Sequence, residues 1–413
     1  MRFMHATAII VVAAGAGMAA NTSGVNTPTF SKDVAPILNN RCVQCHRPGE
    51  AAPMALRTYK EVRPWAKSIK AAVLSRTMPP WFADPKVDHF ANDRRLSDDE
   101  VATIAKWADA GAPEGNAADL PKPPEFVQGW VIGKPDMVIS TGTAFKIPAE
   151  GVVPYQYFKV DPGFKEDTWI QAAEVRPSQR AQVHHILVFV VEPGKRKMKG
   201  EGEQFQDMLI GYAPGVPSIV WDPNTAFLVK AGSTLMFQVH YTVNGKEAVD
   251  ESVLGIKIRN DKPQFRALTG SAVQQRLNIP PQDPNYETKG TYVFKNDITM
   301  VDMTPHMHLR GKAFKYVLTY PDGHSEELLN VPHYDFNWQL SYIFAEPRKI
   351  PAGSKLECTA WYDNSPNNKY NPDPTQTVHW GDQTFEEMMI GFFNYTIPVD
   401  APLPGGTATG GGF

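Results

Sequence analysis

Residues 113–125 read Pro-Glu-Gly-Asn-Ala-Ala-Asp-Leu-Pro-Lys-Pro-Pro-Glu, and the chain changes character across them. Prolines and polar residues at this density sustain neither a helix nor a strand, so 116–126 reads as a linker. Upstream, apolar residues recur at helical spacing: Val62, Trp65, Ile69 and Val73 share one face of the run Tyr59 to Ser75. Ser97 with Glu100 three positions later forms a capping box, opening a helix with Val101, Ile104, Ala105 and Trp107 on one side and Gly111 and Pro113 at its end. Ser31 is placed to cap a helix through Leu38, although Pro36 then falls inside it. Downstream, short alternating or wholly apolar runs predict strands: Tyr155–Val160, Val183–Val191, Thr234–Val243, Phe314–Tyr320, Lys355–Tyr362 and Met389–Ile397. Turn signals such as Asn244-Gly245 and Pro321-Asp322-Gly323 separate them. This β texture is too long for one sandwich, so the expected fold is multidomain: a small all-α domain at 28–115, then two all-β sandwiches at 127–278 and 279–400. The Pro-rich stretch Ile279–Pro284 marks their boundary, and 401–413 reads as a flexible tail.

The 413 residues carry 41 basic and 44 acidic side chains, a formal net charge of −3. That balance gives no electrostatic reason to expect nucleic acid as a partner. A hydrophobic share of 42% supports packed cores, and three cysteines exclude a disulfide-stapled scaffold. Residues 1–20 read as a secretory signal peptide: Arg2, the apolar run Ala6 to Met18, then Ala19 and Ala20 before Asn21. The run is shorter than the roughly 20 residues of a membrane span. No stable span is therefore expected, and the mature protein is expected to be periplasmic or otherwise exported.

Cys42-Val43-Gln44-Cys45-His46 is C-x-x-C-H, the attachment pattern of c-type haem. Two thiols at this spacing add across the haem vinyl groups, and the adjacent imidazole reaches the iron. A redox C-x-x-C would need a βαβ context, and a zinc site a second cysteine pair; the sequence offers neither. For the sixth ligand, Met78 in Thr77-Met78-Pro79-Pro80-Trp81 is favoured, because Met/His ligation is the cytochrome c arrangement. Met54 and His89 are its rivals, Met54 having a short reach to the opposite haem face. Phe30 to Gly115 resembles a class I cytochrome c domain, in particular the bacterial subgroup with a leading F-S-x-D-V-x-P-I-L helix and an M-P-P-W loop. One covalent haem c is the cofactor expected there.

Five histidines stand out in the β region. His184 and His185 are neighbours in a strand-like run, so joint ligation needs a twist or a strand end. His240 lies in Phe237-Gln238-Val239-His240-Tyr241. His306 and His308 flank Met307, and residues i and i+2 of a strand share a face. His324 follows a turn and is expected in solvent; His333 and His379 are expected to pack.

Taken in order, Val-His-His-Ile, Gln-Val-His-Tyr, His-Met-His-Leu-Arg-Gly-Lys and Glu386-Glu387-Met388 resemble the copper type II, ascorbate-dependent monooxygenases over roughly 130–400. The resemblance implies two jelly-roll-like sandwiches, each with one copper facing a solvent cleft. It makes His184, His185 and His240 the ligands of an electron-reservoir copper. His306, His308 and Met388 become the ligands of the copper where oxygen reacts, with Met389 as the competing thioether. Imidazole and thioether suit copper. The implied reaction is O2-dependent hydroxylation of a C–H bond, with the haem supplying or relaying electrons. Where peptide-amidating members anchor a substrate carboxylate, this sequence has Thr304, Ile390 and Phe392, which points to a small, more apolar organic substrate. The family's disulfides are also missing, since Cys358 is the lone cysteine of the β region. A redox partner protein is a further candidate partner. The rival reading is an electron-carrying cytochrome whose sandwiches are a docking or copper-binding module; converging histidine nitrogens would favour the enzyme.

Overall fold

The computed structural model describes residues 27–50, 52–127, 129–194, 208–213, 218–403 and 407–409. The expected signal segment, 1–20, lies outside the described residues.

The helical domain packs Ala35–Arg41, Ala66–Leu74 and Asp98–Asp109 around Phe30, Leu38, Ile104 and Trp107. A π-helical turn, Phe30–Val34, precedes the first helix, and its cap is Thr29 rather than Ser31. The Ser31 hydroxyl instead donates to the Glu114 carbonyl at 2.9 Å, tying the start of the domain to its end. Pro36 sits in the first turn of Ala35–Arg41, where no N–H is needed, which resolves the tension in the sequence. The run from Tyr59 breaks at Pro64 into Tyr59–Val62, a 3-10 turn Arg63–Trp65, and Ala66–Leu74. Ser97 and Glu100 form the capping box of Asp98–Asp109.

The rest is β-rich. In the first sandwich, Met137–Ser140, Val253–Arg259, Thr168–Arg176 and Thr225–Val229 form one sheet. Gln156–Val160, Thr234–Tyr241, Val183–Val191 and Met208–Tyr212 form the other. Ile170, Val175, Val188 and Phe237 share the core between them. In the second sandwich, Tyr342–Ile350, Ile298–His306, Ile390–Pro398 and Phe265–Val273 lie side by side. They cover a core with Tyr286–Val293, Lys355–Tyr362, Gly311–Thr319 and Ser325–Val331. Cys358 is fully buried there against Gly391, where a side chain would meet its sulfur at 2.4 Å.

Phe265–Val273 serves both sandwiches, pairing in parallel with Thr225–Val229 and antiparallel with Ile390–Pro398. Ala267 belongs to the first core and Ala272 to the second. The cores therefore change over inside this strand, upstream of Ile279–Pro284, because a shared strand carries no punctuation. Within the stretch expected as a tail, Thr407–Thr409 pairs with Thr291–Val293.

The helical domain is held by more than its linker. Phe90 bridges Phe344, the Ala91 N–H donates to the Ile343 carbonyl at 2.8 Å, and the Ala345 N–H donates to the His89 carbonyl at 3.0 Å. The Asn92 side chain donates to the Ser341 carbonyl at 2.8 Å and accepts the Ile343 N–H at 3.1 Å. Trp81 and Phe90 pack edge-on to Tyr342, with ring centroids 4.9 and 5.5 Å away. On the side of the first sandwich, Arg180 pairs with Glu50, which follows the C-x-x-C-H segment.

Candidate metal centre

Val183 stands opposite Tyr241 and His185 opposite His240, so His184 is an extra residue in the ladder. Such a bulge re-aims side chains that a regular pleat would send to opposite faces. The ligating nitrogens of His184, His185 and His240 consequently lie within 4.8 Å of one another. Nε2 of His184, Nε2 of His185 and Nδ1 of His240 are buried without a hydrogen-bond partner. Burial, reinforced by the neighbouring imidazoles, pulls His184 down to about 4 and His240 to about 2, and holds His185 well below the ordinary range. Buried, uncharged imidazoles with idle nitrogens fit a metal ion.

The second set differs in detail from the sequence reading. The strand ends at His306, and His308 sits in the turn beyond it, where the Gly311 N–H donates to the His308 carbonyl at 3.1 Å. The side-chain alternation nevertheless persists: Met307 is fully buried in the second core, and the His306 and His308 rings approach to 5.2 Å. His306 Nδ1 contacts Gln339 Oε1 at 2.6 Å, and His308 Nδ1 contacts the Glu386 carbonyl at 3.1 Å. These acceptors make both Nδ1 atoms the N–H donors and leave Nε2 as the ligand atom; His308 Nε2 has no partner. Burial lowers His306 to about 4 and His308 to about 3.

Met388 packs with Val273, Ile390 and Phe392, and the Phe392 ring lies 6.1 Å from that of His306. Met389 belongs to the second core with Met303 and Phe393. Just ahead of the strand Ile390–Pro398, the two methionines thus enter different clusters: Met388 joins Phe392, whose ring neighbours His306, and Met389 joins the second core.

The two sets abut. The rings of His185 and His306 are 6.5 Å apart. Tyr155 lies 5.4 Å from His185, 4.7 Å from His240 and 6.5 Å from His308. Phe336 stacks on His184 at 4.9 Å and lies 6.2 Å from His308. The solvent cleft implied by the resemblance is therefore closed here by aromatic rings, with the shared strand holding the sandwiches together. Tyr155, Phe336 and Gln339 carried no signal in the sequence; folding alone brings them in.

In the helical domain, Cys42 ends Ala35–Arg41, and the N–H groups of Cys45 and His46 both donate to its carbonyl, at 3.1 and 2.9 Å. His46 Nδ1 contacts the Met54 carbonyl at 3.2 Å, which leaves Nε2 for an iron. That bond ties the Met54 backbone to the His46 side chain. Met78 is half-buried in the loop that ends at buried Trp81. His89 is exposed on the docked segment. His324 is exposed as expected, stacked on Tyr320 at 4.1 Å. His333 and His379 are also exposed, which corrects their expected packing role: both sit beside aromatic residues in sequence, but His333 faces outward, and in the short strand Val378–His379 it is Val378 that is buried.

Residues 267–402 match the family model of the copper type II ascorbate-dependent monooxygenase C-terminal domain. The matched segment holds His306, His308 and Met388. No curated protein matches the chain. Among solved structures, that of infectious bursal disease virus Gx strain is similar at 9% identity, over 68% of this chain and 76% of that one, with a TM-score of 0.21. The VP2 subviral particle of infectious bursal disease virus is similar at 10% identity, over 64% and 72%, with a TM-score of 0.20. Procruciferin, an 11S globulin from Brassica napus, follows at 8%, over 60% and 79%, with 0.13. Likeness at these scores carries no argument. The family match and the histidine cluster support a copper-dependent oxidoreductase of the monooxygenase class. Among the described residues, no helix is long and apolar enough to cross a membrane.

Proposed function

We propose that the protein is an exported monooxygenase that hydroxylates a C–H bond of a small organic substrate. One copper is held by His184, His185 and His240, the other by His306, His308 and Met388. A haem c on Cys42, Cys45 and His46, with Met78 as its sixth ligand, supplies the electrons. The overall balance is C–H plus O2, two electrons and two protons, giving C–OH and water. Copper, when bound, supplies the one-electron chemistry and the activation of oxygen. The chain's own residues do the rest. Gln339 and the Glu386 carbonyl fix the orientation of His306 and His308. Tyr155 and Phe336 exclude water between the two sets.

The observation that carries this reading is the abutment of two histidine sets whose idle nitrogens are buried. The docked segment supports the haem's part in it. It begins just after Met78 and engages Ser341, whose hydroxyl bonds Thr304 at 2.8 Å, two residues ahead of His306. Convergence of the nitrogens supports an enzyme over a carrier.

The test is stopped-flow reoxidation of the reduced haem by oxygen, in copper-loaded and copper-free protein, with metal content measured alongside. Faster reoxidation with copper is expected. Equal rates would sink the relay, and absence of copper after reconstitution would sink the enzyme.

A further inference from the structure

Residues 332–341 join Ser325–Val331 to Tyr342–Ile350 without helix or strand. Their own backbone bonds are short-range: the Trp338 N–H donates to the Asp335 carbonyl at 2.9 Å, and the Leu340 N–H to the Trp338 carbonyl at 3.0 Å. A loop paired so locally is held in place by what it touches.

It touches both histidine sets. Tyr334 grips the backbone between His306 and His308: its hydroxyl donates to the Met307 carbonyl at 2.8 Å and accepts the Met307 N–H at 3.1 Å. Phe336 spans the sets. Its ring stacks on His184 at 4.9 Å, with 14° between the planes, and lies 6.0 Å from His240 and 6.2 Å from His308. Gln339 fixes His306 through Nδ1.

Both feet of this loop rest on the docked segment of the helical domain. At the entry, the Asp84 N–H donates to the Asn330 carbonyl at 2.8 Å. At the exit, the Asn92 amide donates to the Ser341 carbonyl and accepts the Ile343 N–H, filling both roles of a neighbouring strand. Phe90 and Trp81 hold the next residue, Tyr342, which is 1% exposed. Gln339 stands two residues from Ser341, at most about 7 Å of chain, so a shift at Asn92 reaches the His306 imidazole with little slack.

We propose that Asp84 and Asn92 are positioning residues of the metal centre. They brace 332–341 at both feet, and the braced loop keeps His306 in its ligating orientation and Phe336 between the sets. The helical domain is then part of the scaffold of the centre, in addition to anything it carries. Unseating it loosens Gln339 from His306 and lets water in beside His184. This assignment rests on the reading of the histidine sets as copper sites.

The test uses the full haem-bearing chain as wild type, Asn92→Ala and Leu318→Ala. Leu318 is fully buried in the second core opposite Glu326, at the end of its strand pair away from Val331, and so controls for lost stability alone. Amide exchange across 334–341 is followed by mass spectrometry in metal-free protein; this range leaves out the Ile343 N–H that Asn92 bonds directly. Copper-loaded protein is read by Cu(II) electron paramagnetic resonance and by Cu(I) chelator competition. Asn92→Ala is expected to speed the exchange about tenfold. It is expected to shift the copper spectrum and to weaken Cu(I) binding roughly tenfold. Leu318→Ala should match wild type in all three. Wild-type exchange in Asn92→Ala overturns the brace, as do faster exchange with unchanged copper spectra and equal effects in Leu318→Ala. Should Asn92→Ala fail to fold, Phe90→Leu, which thins the packing on Tyr342 and leaves the Asn92 bonds, is held to the same outcomes. Faster exchange in a protein that binds no copper even as wild type overturns the metal-centre reading and leaves the brace.

Discussion

Glu387 accepts the backbone N–H of His308 at 2.8 Å with one carboxylate oxygen, and that of Arg310 at 2.7 Å with the other. The turn carrying the His308 imidazole is thereby clamped by the residue next to Met388 in sequence. Removing it leaves two buried N–H groups unsatisfied. Glu387→Ala should cost about 2 to 5 kcal/mol in denaturant unfolding. It should also weaken Cu(I) at the His306 set by roughly 10- to 100-fold in a chelator competition. Full retention of affinity would show that the clamp does not position the ligands.

Met388 and Met389 separate stability from chemistry. Met389 is fully buried in the large second core, so Met389→Ala should lower stability by about 2 to 4 kcal/mol with both coppers retained. Met388 lies in the small cluster with Val273, Ile390 and Phe392, and Met388→Ala should mainly lower Cu(I) affinity and oxygen uptake. Copper X-ray absorption would show loss of a sulfur neighbour in Met388→Ala alone.

Asp302 gives a pH signature. Burial raises its carboxyl from 3.8 to about 6, ahead of the opposing bonds from Asn394. The folded state therefore holds a proton that the unfolded chain releases, and stability falls as pH rises through that window. Asp302→Asn should behave like wild type near pH 4 and gain up to about 3 kcal/mol above pH 7 in the ligand-free protein. Thermal melts across that range check the sign; an advantage largest at low pH would refute it.

Trp81 joins the Met78 loop to Tyr342. Trp81→Ala should cost about 3 kcal/mol and slow copper-dependent haem reoxidation, while the haem spectrum stays intact. An unchanged reoxidation rate would mean that electrons take another path.

Much of the site was legible because its ligand types are rare and fall in short motifs. Val183–Val191 and Lys355–Tyr362 have the bounds their apolar runs predict. What stayed hidden was set by long-range pairing. The bulge that re-aims His184 is a register event between two strands, invisible in either alone. Gln339 reaches His306 from another part of the chain, and Phe265–Val273 joins two sandwiches without any turn residue to announce it. The cap falls on Thr29 because the helical turn already begins at Phe30 and holds Ser31 inside it, leaving the serine hydroxyl to donate to the Glu114 carbonyl. His333 and His379 read as packed because their neighbours are aromatic, and local sequence does not say which way either side chain faces.

A carrier on a single flexible tether meets its acceptor at an effective concentration fixed by tether length. Residues 81–93 bolt the helical domain to Tyr342–Ile350 at a second point, through backbone pairs and a buried tryptophan. Distance is then a constant of the architecture and not an average over a search. Lengthening 116–126, or nicking it with a protease, should leave the internal electron-transfer rate where it was.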